Sequence, residues 1–297
     1  MSALQLTTKF YAYQKTRFPI LPLLLSFLPA ILSSTAVVSS AKPSMWQVIL
    51  GLLAAVAYLF HIRVTDEHRD FAHDSTYHKT RPVQSGIISL AELKKIDKVA
   101  VSIFGAVALS GGNLTFGIAL ISITYTYFAG KEFYLGEKIR RRFFLYNAVN
   151  IVQMLLLQMF IYGFYSQGPF AFNAFVATHF AFTALGAVLF EFLRKLKIPK
   201  HESAGNDTYS ARLGFRTAVL TYASLVLIDT LLFFRLAQMV ASVHGFWFLL
   251  AGFSGILLVL WTFVHSLKKT DFTERVLQVL TLSAYGLFNV TIYFLKF

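Results

Sequence analysis

Four carboxylates, Asp66, Glu67, Asp70 and Asp74, stand together directly after a long apolar run. Asp66, Asp70 and Asp74 are spaced i, i+4, i+8, which on a helix places them on one face. Like charges so placed repel unless a cation lies between them, and a hard, oxygen-seeking ion such as Mg2+ suits four carboxylates. Lys79 and Arg81 follow within a turn or two. Acids that hold a metal beside basic donors make a diphosphate site, because the metal bridges carboxylate and phosphate oxygens while Lys and Arg neutralise the remaining charge. Pro82 and Ser85-Gly86 then turn the chain. The bland alternative is a solvated loop of mixed charge.

The elements that must position this segment are apolar. The chain has 297 residues, 56% of them hydrophobic and only 14% charged, where a soluble domain is about 25% charged. Runs of 18 or more apolar residues recur along the length, each able to cross a hydrocarbon core. The class expected is all-α, a polytopic membrane protein forming one domain over 1–297. No cysteine is present, so disulfides and thiolate metal sites are excluded. The N-terminal apolar stretch leads into a Pro-containing span without a clear cleavage site and does not read as a cleavable signal peptide.

Nine transmembrane helices are expected, at 19–40, 46–64, 97–112, 113–129, 143–165, 170–190, 215–239, 244–265 and 276–296. The third and fourth are separated at Gly111-Gly112-Asn113, a turn-like cluster. With the N-terminus cytoplasmic, 24 of the 27 Lys and Arg residues fall in segments on that side. The positive-inside rule then orients the chain N-terminus in and C-terminus out, and the net charge of +13 reads as topology rather than as nucleic-acid binding. Of the 14 acids, 13 lie on the same side and only Asp229 falls within a span. Short outer loops account for part of that concentration.

The 66–86 segment resembles the first signature of the UbiA superfamily of intramembrane prenyltransferases, Asn-Asp-x-x-Asp-x-x-x-Asp followed by Arg-Pro-x-x-Ser-Gly. Asp66 stands at the Asn position and Glu67 at the first Asp; Asp70, Asp74, Arg81-Pro82 and Ser85-Gly86 match. The family's second motif, Asp-x-x-x-Asp after helix six, is altered here. Glu191 is the substitute expected, with Glu202 and Asp207 as alternatives, and the Gly205-x-x-Thr208 and Leu213-Gly214 elements fit the family.

The resemblance implies a UbiA-like bundle with an active-site cavity on the cytoplasmic side, in a bacterial inner membrane. It implies Mg2+-dependent transfer of a prenyl group from a prenyl diphosphate to a small aromatic acceptor, as in quinone biosynthesis. Asp66, Glu67, Asp70, Asp74 and Glu191 would serve the metal, with Asp70, Asp74 and Glu191 central to catalysis. Lys79, Arg81, Lys131, Arg140, Arg194 and Lys195 would hold diphosphate. Relatives that cyclise the prenyl chain or use a lipid, sugar phosphate or haem acceptor are the alternatives; a transporter is a more distant one.

Aromatic residues make up 16% of the chain, which suits the handling of an allylic cation. Asn147, Asn150 and Gln153 recur every three residues and predict a polar stripe facing inward, more plausibly for interhelical hydrogen bonds than for an acceptor. Asn173, His179 and Asp229 are further polar groups expected in spans, and Arg235 is expected to snorkel to the outer interface.

Overall fold

The computed structural model describes residues 3–166, 169–202, 207–240 and 245–297, and among these every regular element is a helix. In chain order they are α1 (Ala3–Arg17), α2 (Ile20–Val38), α3 (Met45–Arg69), α4 (Phe71–Tyr77), α5 (Leu90–Ser110), α6 (Gly112–Gly130), α7 (Glu137–Arg140), α8 (Phe143–Ser166), α9 (Ala174–Arg194), α10 (Tyr209–Leu213), α11 (Phe215–Val240), α12 (Phe246–Lys268) and α13 (Asp271–Lys296). Short 3-10 turns lie at Glu132–Tyr134 and Pro199–His201.

Local chemistry sets several starts. Ser44 with Gln47, Ser89 with Glu92, and Thr270 with Thr273 form capping boxes at α3, α5 and α13. Asn173 accepts from the backbone N–H groups of Phe175 and Val176 to open α9, so this residue caps a helix rather than lying inside a span. The α5–α6 break falls at the anticipated glycines: α5 ends at Ser110, and Gly112 takes φ 87°, a left-handed conformation open to glycine.

Among the described residues, seven helices, α2, α3, α8, α9, α11, α12 and α13, are long and apolar enough to cross a membrane. The spans expected at 97–112 and 113–129 also fall on helices, α5 and α6. The first three turns of α5 carry Glu92, Lys94, Lys95, Asp97 and Lys98, and α6 is diluted by Asn113, Thr115, Ser122, Thr124 and Thr126.

The chain divides into two compact units, Met1–Ile31 with Pro43–Pro169, and Leu32–Lys42 with Phe170–Phe297. In the first, α3 packs on α5, α6 and α8, and α6 packs on α8. Tyr58 is fully buried there, with its hydroxyl 3.0 Å from Thr126 Oγ1 and its ring stacked on Phe104. The expected inward stripe of α8 is present, with Asn147 and Gln153 buried. At Gly130 an added Cβ would come within 2.2 Å of Thr65 Cγ2, so this glycine lets the end of α6 approach α3 beside the acidic segment.

In the second unit α11 packs on α9, α10, α12 and α13. Phe233 and Phe288 stack at 4.5 Å, and Tyr222 lies 2.6 Å from Thr281 Oγ1. His179 is buried and its Nε2 lies 3.0 Å from Ser33 Oγ, which donates to Asn289. These are interhelical hydrogen bonds of the kind polar groups make at membrane depth. Arg235 is exposed on α11. Gly186 sits under the Tyr285 ring, where a Cβ would meet Cε2 at 2.3 Å. The Tyr285 ring stacks on Phe182 and meets Phe190 edge-on, so Gly186→Ala, which must displace it, is expected to destabilise the protein by about 1–3 kcal/mol, read as a lower thermal midpoint in detergent.

Candidate functional site

The acidic segment straddles the end of α3. That helix stops at Arg69, Asp70 takes φ −92° and ψ 1°, and α4 begins at Phe71. The i→i−4 hydrogen bonds continue through the break, from Asp70 N to Asp66 O and from Asp74 N to Asp70 O. The single helical face expected for the three aspartates is therefore interrupted at the middle one. The four acids go to three different sets of partners, all of them with arginine.

Glu67 is 1% exposed. Its Oε1 accepts from Arg63 Nη2 at 2.6 Å, Arg17 Nε at 2.9 Å and Tyr13 Oη at 3.3 Å. Asp74, 2% exposed, is paired with Arg81 and lies 3.8 Å from Arg17 Nη2. Asp66 and Asp70 share Arg69: Nη2 is 2.8 Å from Asp66 Oδ1, while Nε and Nη2 reach the two Asp70 oxygens at 3.0 and 3.2 Å. The Arg69 guanidinium also donates to Asn150 Oδ1 at 3.2 Å and lies 5.1 Å from the Tyr146 ring centroid. Burial pushes the Asp70 carboxyl up, but hydrogen bonds and charge from Arg69, with the charges of Arg63 and Arg140, more than offset this and hold it below the usual carboxylate range.

The basic candidates are placed unequally. Arg81 is drawn into the cluster, while Lys79 is exposed beyond α4 and Lys131 is exposed at the end of α6. Arg140, on α7, pairs with the buried Glu132. Glu132, Phe133 and Tyr134 take φ of 50°, 51° and 58°, three consecutive left-handed residues without glycine. Each costs about 1–2 kcal/mol for an L-residue. The Glu132–Arg140 pair and the packing of Phe133 against Tyr125 offset that strain.

In the second unit, Glu191 stands in the last turn of α9. Arg194 holds both its carboxylate oxygens, at 2.8 and 2.9 Å from Nη2, and Lys195 Nζ lies 3.0 Å from Oε1. Burial, more than the opposing pull of Glu191, lowers the Lys195 ammonium below its ordinary value. Glu202 accepts from Thr208 Oγ1 at 2.5 Å, and Thr208 caps α10. Asp207 lies beside Thr208, within charge range of Lys195; Gly205 lies outside the described residues. Lys197 and Lys200 pair with Glu274 and Asp271 of α13, which ties the basic loop to that helix. Asp229 is buried in α11, and its Oδ1 has no hydrogen-bond partner.

Sequence reasoning had not assigned roles to Tyr13, Arg17, Arg63, Arg69, Glu132 or Tyr146. Arg63 and Arg69 carried a local signal, being four residues before Glu67 and three after Asp66. Tyr13, Arg17 and Tyr146 come from other helices and carried none.

Two outcomes follow from this electrostatic arrangement. Arg63→Met leaves Glu67 buried with only Arg17 and Tyr13 to compensate it and is expected to cost about 1.5–3 kcal/mol in thermal unfolding, with much of the loss restored in Arg63→Met/Glu67→Gln. The second concerns α1, which Lys9 ties to α5 through Glu92 at 2.6 Å. The Lys9 hydrogen bond and the Ser89 backbone lower the Glu92 carboxyl to about 2. A depressed carboxyl contributes stability above its unfolded value and loses it as pH falls through the folded one. Protection factors of the α1 amides, corrected for intrinsic exchange, should therefore be unchanged above about pH 4.3 and fall below it, and Lys9→Met should weaken that dependence.

No family sequence model matches this chain, and no curated protein sequence does. Solved structures do. A structure described for digeranylgeranylglyceryl phosphate synthase in membranes superposes with a TM-score of 0.63 at 15% identity, covering 97% of this chain and 99% of that one. A UbiA homologue from Archaeoglobus fulgidus bound to GPP and Mg2+ gives a TM-score of 0.60 at 15% identity, covering 94% and 99%. A UbiA homologue from Aeropyrum pernix K1 gives 0.60 at 14% identity, covering 91% and 96%. This chain is an integral, multi-pass membrane protein, and over nearly its whole length it has the fold of UbiA homologues.

Proposed function

We propose that this protein is a membrane prenyltransferase that moves a prenyl group from a prenyl diphosphate to a small acceptor and releases diphosphate. The observation that carries the reading is the 66–81 cluster, four carboxylates interleaved with arginines at the end of a membrane helix, on a fold whose solved representatives include homologues bound to GPP or DMAPP and Mg2+. The residues fit a hard divalent ion. Asp66 and Asp70 have side chains 25% and 35% exposed, and Glu67 Oε2 is buried without a hydrogen-bond partner. Asp66, Glu67, Asp70 and Asp74 would hold the ion, which supplies positive charge against a departing diphosphate.

The chain's own groups do the rest. Arg81, with Lys79, Lys131 and Arg140, neutralises the leaving diphosphate. Arg140 is already held close enough for its charge to act on Asp70. Apolar helix faces exclude water from the allylic cation that forms as the C–O bond breaks, and aromatic faces stabilise it without reacting. The acceptor then attacks and loses a proton. We place α5 and α6 across the bilayer with the other seven, giving nine spans, a cytoplasmic N-terminus and one catalytic domain in a bacterial inner membrane. An aromatic acceptor, as in quinone biosynthesis, is our first choice. A glyceryl lipid acceptor is the second, on the likeness to digeranylgeranylglyceryl phosphate synthase.

Purified protein in nanodiscs should release diphosphate from geranyl or longer prenyl diphosphates with one member of an acceptor panel, and EDTA should abolish release. Asp70→Asn and Asp74→Asn should each lower turnover by about 10²-fold or more. Metal-independent turnover, or none with any acceptor, would overturn the reading; a cyclic terpene formed without acceptor would reassign the reaction as cyclisation.

A further inference from the structure

Arg69 is the most heavily engaged cation of the cluster. Its side chain is 5% exposed, yet the two carboxylates that it bridges, Asp66 and Asp70, are the two that reach solvent. It is bound on every side: Nε and Nη2 to Asp70, Nη2 to Asp66, Nη1 to Asn150, and the guanidinium near the face of Tyr146. Arg63 and Arg140 also act on Asp70, and Arg63 on Asp66. The positive charge needed between Asp66 and Asp70 is thus supplied from within the chain, by a residue inside the motif itself.

We propose that Arg69 is an exchangeable counter-cation: it holds Asp66 and Asp70 while the site is empty and turns to the diphosphate when a divalent ion takes those carboxylates. The inference rests on the reading of this cluster as a metal and diphosphate site. Its physical basis is that a buried guanidinium cannot be left without an anion, since an uncompensated buried charge is strongly destabilising. A metal ion alone must displace Arg69 and strand it. A diphosphate alone finds Arg69 already committed. Together, each supplies what the other removes, so the two ligands bind with positive coupling, and the coupling is reciprocal. A guanidinium suits the role because its planar fork fits carboxylate and phosphate oxygens alike. Asn150 and Tyr146 belong to α8 and remain as supports for the side chain after the exchange.

The test uses the full chain in nanodiscs and two titrations, Mn2+ alone followed by electron paramagnetic resonance, and geranyl diphosphate in EDTA followed by calorimetry. For Arg69→Gln, Mn2+ alone should bind about tenfold tighter than to the unaltered protein, equivalent to about 1.4 kcal/mol. Geranyl diphosphate in EDTA, for which Arg69 is already committed to the carboxylates, should bind with little change. Mn2+ affinity that is unchanged or reduced would overturn the proposal, and would instead make Arg69 a residue that merely orients the carboxylates. If Arg69→Gln does not fold, Arg69→Lys keeps the charge and loses the fork. It should tighten Mn2+ binding by a smaller factor, and no shift in the Mn2+ titration would likewise overturn the proposal. Failure of the underlying reading has a different signature: the unaltered protein would bind no geranyl diphosphate even with Mn2+ present.

Discussion

Carboxylates at the edge of a low-dielectric bundle must be neutralised, and in this protein arginine does it. Glu67 and Asp74 are almost fully buried, and a buried carboxylate without a partner is far more costly than one in water. Arg17, Arg63, Arg69 and Arg81 answer that constraint together. The rest of the first unit is arranged around it. α1 is held against α3 because Tyr13 and Arg17 reach Glu67, and the chain after α4 is held because Arg81 reaches Asp74. α8 joins through Asn150 and Tyr146, and Gly130 admits the end of α6 beside Thr65.

The same constraint is met differently in the second unit. Glu191 is satisfied by its own helix end, from Arg194 and Lys195 three and four residues on. That pairing is local, whereas the loop that follows is fixed by distant partners, Lys197 on Glu274 and Lys200 on Asp271. Tyr209 stacks on Phe192 at 4.0 Å and anchors α10 to α9. The arginines of the first unit answer a buried acidic motif, whereas in the second Arg194, paired with Glu191, stays largely exposed.

Much of this was legible from residue order. The break between α5 and α6 was readable from Gly111-Gly112 because glycine alone takes the left-handed turn without strain, and the inward stripe of α8 was readable from the three-residue spacing of Asn147, Asn150 and Gln153. The acidic segment announced itself as a cluster. Its geometry did not: helical spacing predicts one face for Asp66, Asp70 and Asp74, but Arg69 bridges Asp66 and Asp70 while Asp74, beyond the turn at Asp70, pairs with Arg81 and Arg17. The left-handed run at Glu132–Tyr134 had no signal either, since no glycine marks it and the contacts that offset its strain come from Arg140 and Tyr125.

Sequence by itself determined the helices, their apolar stretches and the gathering of charge at their ends, because hydrophobic length, capping and short-range spacing act between residues near in the chain. Only the tertiary structure decided which cation neutralises which acid. Tyr13 and Arg17 lie about fifty residues from Glu67, and Asn150 about eighty from Arg69. Charge pairing depends on distance in space and on burial, and neither is written in the order of residues.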